Sequence, residues 1–259
     1  MDDKIEQSVE KSLLSSLKSQ ELSKVAADIG EVTIDLITEN EILKAIPIVS
    51  SIVSLNKACL SIRDRLFLKK VITFLKPMGR YSAKERKEFF RSLNEEELTK
   101  ATESMLLYLD KFDSFDKSKM LSRVFENYML GKISFNHAMY FSHFIDSVFI
   151  LVWQDYYKAI KVWLDKEKNN SHLHSPDISL DDALALEKIG FYMIQFNNEF
   201  GESEYDEYRP IIAYERELVI TEAGMKFIQT VYDLDFSSIH ELTLKSRLNV
   251  SFKDVDNFI

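Results

Sequence analysis

The segment that decides the fold runs from Ile42 to Phe74 and reads ILKAIPIVSSIVSLNKACLSIRDRLFLKKVITF. It begins as an almost charge-free apolar run and continues into a basic amphipathic stretch. After Pro47, which suits the first turn of a helix, apolar residues recur every three or four positions, as on one helix face. This stripe consists of Ile48, Ile52, Leu55, Cys59, Ile62 and Leu66. The pattern predicts one apolar-to-basic helix over residues 42–76, ending near Pro77 and Gly79 because both residue types stop helices.

Three interpretations of this helix stay open: a core helix, a helix on a membrane surface or lining a pore, and a helix in the groove of a protein partner. A spanning helix needs about 20 mostly apolar residues, whereas Lys44 and Lys57 enclose 12 uncharged positions. A conventional span is therefore not expected. An apolar face followed by cations is typical of an interfacial helix. The candidate membrane- or partner-binding residues are Ile48, Ile52, Leu55, Ile62, Arg63, Arg65, Leu66, Lys69 and Lys70.

The composition favours a mainly α fold. The 259 residues include 6 glycines and 4 prolines, far below the usual usage of about 7% and 5%, so few tight turns are expected. We predict a multi-helix body with a small C-terminal winged-helix-like module, built as helix, β-hairpin and helix. Cys59 is the single cysteine, so no intrachain disulfide can form, and it is expected to be a small buried residue.

The charge is unevenly distributed. Residues 57–91 hold eleven basic and three acidic residues, a net charge of +8, which leaves −17 for the rest of a chain whose total is −9. Such a segment can bind an anionic surface or dock on an acidic face of its own chain. Docking on its own chain is the favoured alternative.

Helix signals divide the chain into two predicted domains. An amphipathic helix is expected over residues 4–29, and Ser82, Asn94 and Ser134 are expected to cap later helices. Further helices are expected over 116–130 and through the aromatic run that follows residue 145. The polar loop 168–177 then predicts a boundary between a helical body, residues 1–170, and a C-terminal module, residues 177–259.

The C-terminal module is expected to contain two strands between helices. Ser179 suits a helix cap, residues 191–196 and 211–220 suit a pair of strands, and Thr221 opens the last helix. The connection between the strands is acidic, with Glu199, Glu202, Glu204, Asp206 and Glu207. Because phosphates would be repelled there, direct DNA binding is not expected, and a protein-protein or dimerisation role is favoured.

No motif in the chain predicts catalysis, a cofactor or a metal site. Phosphate loops, dinucleotide fingerprints, nucleophile elbows and zinc-type cysteine pairs do not occur. His172 and His174, beside Asp177, are expected to be solvated loop residues rather than ligands, and His137 and His143 to be packing residues. An enzyme with an unrecognised carboxylate site is kept as an alternative.

The block ILKAIPIVSSIVSLNKACLSIRDRLFLKKVITFL, residues 42–75, resembles a group of uncharacterised bacterial helical proteins. They pair an IPIV-type apolar helix with an IRDRLFLKK-like segment and end in LTE-G-like residues, here Val219 to Gly224. The resemblance implies an accessory or a phage-defence-associated role, and brings no catalytic residues.

We therefore expect a non-enzymatic bacterial effector or adaptor that acts through helix 42–75 on a membrane surface or a partner protein. The alternative is an interaction or dimerisation module with that helix buried in the core. Because the acidic N-terminus lacks the pattern of a secretory signal, a cytoplasmic location is expected, with the helix peripheral to the inner face of the membrane.

Overall fold

The computed structural model describes residues 2–28, 37, 39–55, 60–167, 179–197, 215–232 and 246–248. It is mainly helical, which confirms the predicted class. The chain divides into two compact units, residues 1–150 and 151–259. The helices of the first unit are α1 (Asp2–Lys18), α2 (Glu21–Asp28), α3 (Glu41–Lys44), α4 (Pro47–Leu55), α5 (Ile62–Met78), α6 (Ala83–Ser92), α7 (Glu95–Lys111), α8 (Phe115–Met129) and α9 (Phe135–Ser147).

The segment 42–76, which the sequence predicts as one helix, is divided among α3, α4 and α5, so that prediction is wrong. Ser61 has extended backbone and caps α5, and its Oγ accepts from the Asp64 N–H at 3.1 Å. The Asp64 carboxylate accepts from the Ser61 N–H at 3.1 Å, which completes a capping box. This reciprocal pair satisfies two amides at a helix start, so a new helix begins where the apolar stripe suggested continuity. The predicted end at Pro77–Gly79 is confirmed.

Helix α5 lies at the centre of the first unit. Its buried face packs on α8, and it also contacts α2 and α7, while α4 packs on α1. Phe74 meets Phe125 of α8 edge to face, with ring centroids 5.9 Å apart. The buried residues of α5 are Leu68, Val71, Ile72, Phe74, Leu75 and Met78. The apolar side of α5 is therefore committed to the core from Leu68 onward.

Three helix starts of this unit are capped as the sequence predicts. Ser82, Asn94 and Ser134 each accept a backbone N–H three residues on. Gly131 follows α8 with φ of 69°, a conformation that glycine adopts without strain. The expected helix over residues 4–29 is instead two helices, α1 and α2, because the chain turns at Ser19, whose Oγ accepts from the Leu22 N–H at 3.3 Å.

The second unit holds an aromatic cluster. Its elements are α10 (Ile150–Glu167), α11 (Leu180–Lys188), β1 (Tyr192–Asn197), β2 (Glu215–Ile220), α12 (Glu222–Tyr232) and β3 (Ser246–Leu248). Trp153 of α10 lies 5.5 Å from Phe191 and 4.8 Å from Phe227 between ring centroids. These contacts group α10 with the C-terminal elements. The boundary between the two units therefore falls at residue 150, before the loop 168–177 that the sequence predicts as the boundary.

The three strands form an antiparallel sheet in the order β1-β2-β3. Tyr192 pairs with Ile220 at one end of the first pair, and Asn197 pairs with Glu215 at the other. The acidic connection 199–207, and residues 211–214 of the expected second strand, lie outside the described residues. The winged-helix-like assignment stays a prediction.

Candidate interaction surface

Two of the five apolar residues of the predicted site lie in the core. Ile48 and Ile52 of α4 are buried, and the Ile48 N–H donates to Ser16 Oγ of α1 at 2.9 Å. Ser12 and Ser51 also share a hydrogen bond of 2.6 Å between their hydroxyls. Leu55 ends α4, and its side chain lies outside the described residues. These contacts hold α4 on α1 as part of the body.

Two of the predicted cations dock on the end of α7. Lys70 Nζ donates to the carbonyl oxygens of Asp110 at 2.8 Å and Phe112 at 2.9 Å. The last carbonyls of a helix carry partial negative charge, so an ammonium is stabilised there. Burial lowers the pKa of Lys70, as does the charge of Arg63, while the carboxylate of Asp110 opposes the shift. Lys70 therefore fixes the middle of α5 against α7.

Arg63 contributes less to this docking. Its Nη2 lies 3.2 Å from Asp110 Oδ2, but the Arg63 side chain is 81% exposed. An exposed ion pair of this kind contributes about 0–1 kcal/mol. Lys69 points to another side of α5, where its Nζ lies 4.3 Å from the ring centroid of Phe115. The basic residues of α5 thus divide between two faces of the body.

The first two turns of α5 expose an apolar ridge. Ile62 is 77% exposed and Leu66 is 39% exposed. Arg65 and Leu66 lie three and four residues after Ile62, and both spacings place a side chain beside that of Ile62 on the helix surface. We call Ile62, Arg65 and Leu66 the α5 ridge. Ile62 and Leu66 are exposed to another molecule, and Arg65 between them is half-buried.

Beside the α5 ridge lies a cleft of about 1040 Å³ between α1, α5 and α7. Phe67, Leu106 and Leu107 give it apolar walls, and Leu107 is 53% exposed. Among the described residues, the carboxylates of Glu10, Asp64, Glu103 and Asp110 line it, and Arg63 lies among them. We call this cleft the acidic groove. Its apolar walls and excess of carboxylates suit a segment that is itself apolar and basic.

The histidines form no ligand set within the described ranges. His137 contacts Ser134 through Nδ1 at 2.9 Å and packs 5.7 Å from the Phe141 ring. No group of three or more His, Cys, Asp or Glu side chains able to hold a metal occurs among the described residues. His172 and His174 lie outside them. Nor is any described helix long and apolar enough to cross a bilayer.

Arg86 of α6 is a buried cation that sequence reasoning treated only as part of the basic segment. Its side chain is fully buried. Nε donates to the Leu17 carbonyl oxygen at 2.6 Å, Nη1 donates to those of Met78 at 3.3 Å and Tyr81, and Nη2 donates to that of Ser19. Burial lowers the pKa of Arg86. The sequence held no signal for these contacts, because the acceptors are backbone carbonyls, and those of Leu17 and Ser19 lie more than 60 positions away in the chain.

Comparisons with protein-family models, with curated proteins and with solved structures find no match to this chain. The functional inference therefore rests on the α5 ridge and the acidic groove.

Proposed function

We propose that the protein is a non-enzymatic adaptor that self-associates, with the α5 ridge of one copy seated in the acidic groove of a second. One observation carries this proposal. A surface with a cation and a surface rich in carboxylates lie side by side around the first two turns of α5. Ile62, Arg65 and Leu66 offer apolar area and positive charge, while the groove offers apolar walls and carboxylates. Such surfaces on one chain allow a reciprocal contact about a two-fold axis.

The energetics favour the ridge as the centre of such a contact. Burying an exposed isoleucine or leucine side chain contributes about 1.5–3 kcal/mol. A charged rim adds mainly specificity and association rate. Ile62 and Leu66 would supply the affinity, and Arg65 facing Glu103 of the second copy would set the orientation.

The membrane-surface function is the second candidate, and it too rests on the ridge. Ile62 and Leu66 stand beside Arg63, Arg65 and Lys69, the order of residues that suits insertion into an anionic interface. With Ile48 and Ile52 buried in the body, the apolar area offered to lipid is small, so the self-associating adaptor is preferred. The role in phage defence comes from the resemblance of residues 42–75 and stays a prediction.

We also propose that the C-terminal unit is a winged-helix-like module that contacts other proteins. The order α11, β1, β2 and α12 supports this assignment, as does the antiparallel pairing of β1 with β2. A backbone resonance assignment of residues 177–259 within the full chain would test it. Continuous strand shifts across 191–197 and 211–220 would support the assignment, and helical or coil shifts there would overturn it.

Sedimentation equilibrium tests the self-association. The wild-type chain is expected to form a dimer at micromolar concentration, and Ile62→Asp is expected to return it to the monomer. Leu130→Asp is the matched control, because Leu130 is 47% exposed in the same unit but lies at the end of α8. A wild-type chain that stays monomeric at concentrations up to about 100 µM, where contacts weaker than about 5–6 kcal/mol are missed, would overturn the proposal.

A charge exchange tests the orientation. Arg65→Glu and Glu103→Arg should each weaken the dimer, and the double variant should restore it. If the double variant dimerises no better than either single variant, the pairing of Arg65 with Glu103 is incorrect.

Flotation with phosphatidylglycerol vesicles tests the second candidate, the membrane-surface function. A wild-type chain that floats, and an Ile62→Asp chain that does not, would favour that function.

A further inference from the structure

A second cleft, of about 540 Å³, lies on the side of α5 where Lys69 points. It is bounded by α2, by the second half of α5 and by the start of α8. Four cations line it: Lys69, Lys76, Arg80 and Lys119. We call it the basic cleft. It is separate from the acidic groove, and its chemistry does not depend on self-association.

The basic cleft brings together more positive than negative charge. Asp116 is an acidic residue among its walls, and Lys119 Nζ contacts Asp116 Oδ1 at 2.8 Å. Among the lining residues that the structure describes, four cations and one carboxylate give a net charge of +3, in a chain whose total is −9. Like charges in one cleft repel each other, and a bound anion would remove that cost. A ligand with two or three negative charges matches this balance.

The walls add groups that suit a phosphate. The first turn of α8 lines the cleft with Ser114 and Phe115, so the positive end of that helix dipole adds to the side-chain charge. Phe115 also offers an aromatic wall, over which Lys69 Nζ already lies at 4.3 Å. The volume falls within the range of about 300–1,000 Å³ that small-molecule sites occupy.

We propose that the basic cleft binds a phosphate-bearing anion with two or more negative charges, held by Lys69, Lys76, Arg80 and Lys119. The shared chemistry is a phosphate monoester or diphosphate, carried by a free molecule or by a lipid headgroup. Arg80 contributes a planar fork of donors that matches two phosphate oxygens, and the lysines contribute point charges.

Isothermal titration of the full chain with inorganic pyrophosphate at low ionic strength tests the proposal. The wild-type chain should bind, and Arg80→Gln combined with Lys119→Gln should bind at least about tenfold more weakly, because each removed charge-assisted contact weakens binding. Arg80→Lys should lose less. Lys84→Gln combined with Lys132→Gln is the control, since it removes the same charge from exposed positions outside the cleft. No binding by the wild-type chain, or equal losses in the two double variants, would overturn the proposal.

Two further arms identify the source of the phosphate. One uses ATP, and the other uses phosphatidylcholine vesicles containing phosphatidic acid, with phosphatidylserine vesicles as the reference for charge alone. Binding of ATP that the cleft variant loses would support a free ligand. Selective flotation with phosphatidic acid that the cleft variant loses would support a lipid headgroup. Binding that is insensitive to the cleft variant in every arm would overturn the assignment.

Discussion

Arg86 Nε donates to the Leu17 carbonyl oxygen at 2.6 Å, although the two residues lie 69 positions apart. The contact is buried, and the other guanidinium nitrogens reach the carbonyls of Ser19, Met78 and Tyr81. Carbonyl groups near the ends of α1 and α5 have no partner within their helix. One side chain satisfies several of them at once, with a planar set of donors that no other residue type provides.

Replacing Arg86 should therefore destabilise the first unit strongly. Arg86→Met removes the guanidinium from four backbone carbonyls, of which that of Met78 still accepts from the Tyr81 N–H at 3.2 Å. Hydrogen bonds to charged groups contribute about 1.5–3 kcal/mol each. We expect a loss of about 3 kcal/mol or more in the free energy of unfolding, measured by urea denaturation. Arg86→Lys should recover only part of this loss, because one ammonium cannot reach the carbonyls near the ends of both α1 and α5. Arg91→Met, at an exposed position near the end of the same helix, should cost little; an equal loss there would contradict the assignment.

The cap of α5 gives a second prediction. Ser61→Ala removes the acceptor for the Asp64 N–H and breaks the capping box. A lost cap costs about 1 kcal/mol, and Ser61→Asp, which can still cap, should retain most of the stability. Ser92→Ala is the control, because the Ser92 hydroxyl donates to the Phe89 carbonyl at a helix end and caps no helix start. Thermal unfolding that is unchanged in Ser61→Ala would mean that α5 does not begin there.

Tyr128 gives a prediction for alkaline pH. It packs among Phe89, Phe125 and Phe135. Burial raises the pKa of Tyr128 to about 12, with the charge of Glu97 as the second cause. Because the folded state holds the proton more tightly than the unfolded chain, this contribution to stability is complete below pH of about 10. It is lost as the pH rises toward 12.

Phenolate absorbance during an alkaline titration measures this shift. Tyrosines with ordinary pKa values should ionise near pH 10. In the wild-type chain the phenol of Tyr128 should ionise at higher pH, and this late ionisation should be absent in Tyr128→Phe. Tyr232 is a second late phenol, since burial also raises its pKa. If Tyr128→Phe removes an early-ionising phenol instead, the tyrosine is not buried as described.

Gly224 provides a test of the second unit. A Cβ at this position would lie 2.6 Å from the Phe191 carbonyl oxygen and 3.0 Å from Ile220 Cγ1. Gly224→Ala should therefore push α12 away from the end of β2, at a cost of about 1–3 kcal/mol. Both tryptophans belong to α10, and Trp153 packs on Phe227 of α12, so tryptophan fluorescence follows this unit during denaturation.

Gly131→Ala is the comparison for that substitution. Gly131 has open space around it but a φ of +69°, so alanine there brings backbone strain of about 1 kcal/mol to the first unit. The tryptophan transition should be unchanged in Gly131→Ala and earlier in Gly224→Ala. The opposite order would contradict the packing of Gly224 against Phe191.

Local signals in the sequence were sufficient for the helix class and for many helix starts. Ser82, Asn94 and Ser134 could be identified as caps because a capping side chain bonds to an amide only three residues away. The break before α5 was missed although Ser61 and Asp64 have the spacing of a capping box, because the apolar stripe from Ile48 to Leu66 outweighed it. The structure buries the start of that stripe and exposes its end.

The surfaces were less predictable because they depend on residues far apart in the chain. The basic segment could be identified from its net charge. Some of its cations contact the end of α7 and others line the basic cleft, and this depends on where other helices place Asp110 and Lys119. The acidic groove needs α1, α5 and α7 together. No spacing along the chain could indicate that Glu10 and Glu103 line one cleft.

The contacts of Arg86 also have a consequence for how the first unit opens. One guanidinium bonds to carbonyls near the ends of α1 and α5 from its position on α6, so none of the three can detach without leaving a buried charge or bare carbonyls behind. Their slowly exchanging amides should consequently share one opening free energy, as a single cooperative unit. In Arg86→Met that unit should separate, and α1 should then exchange before the centre of α5.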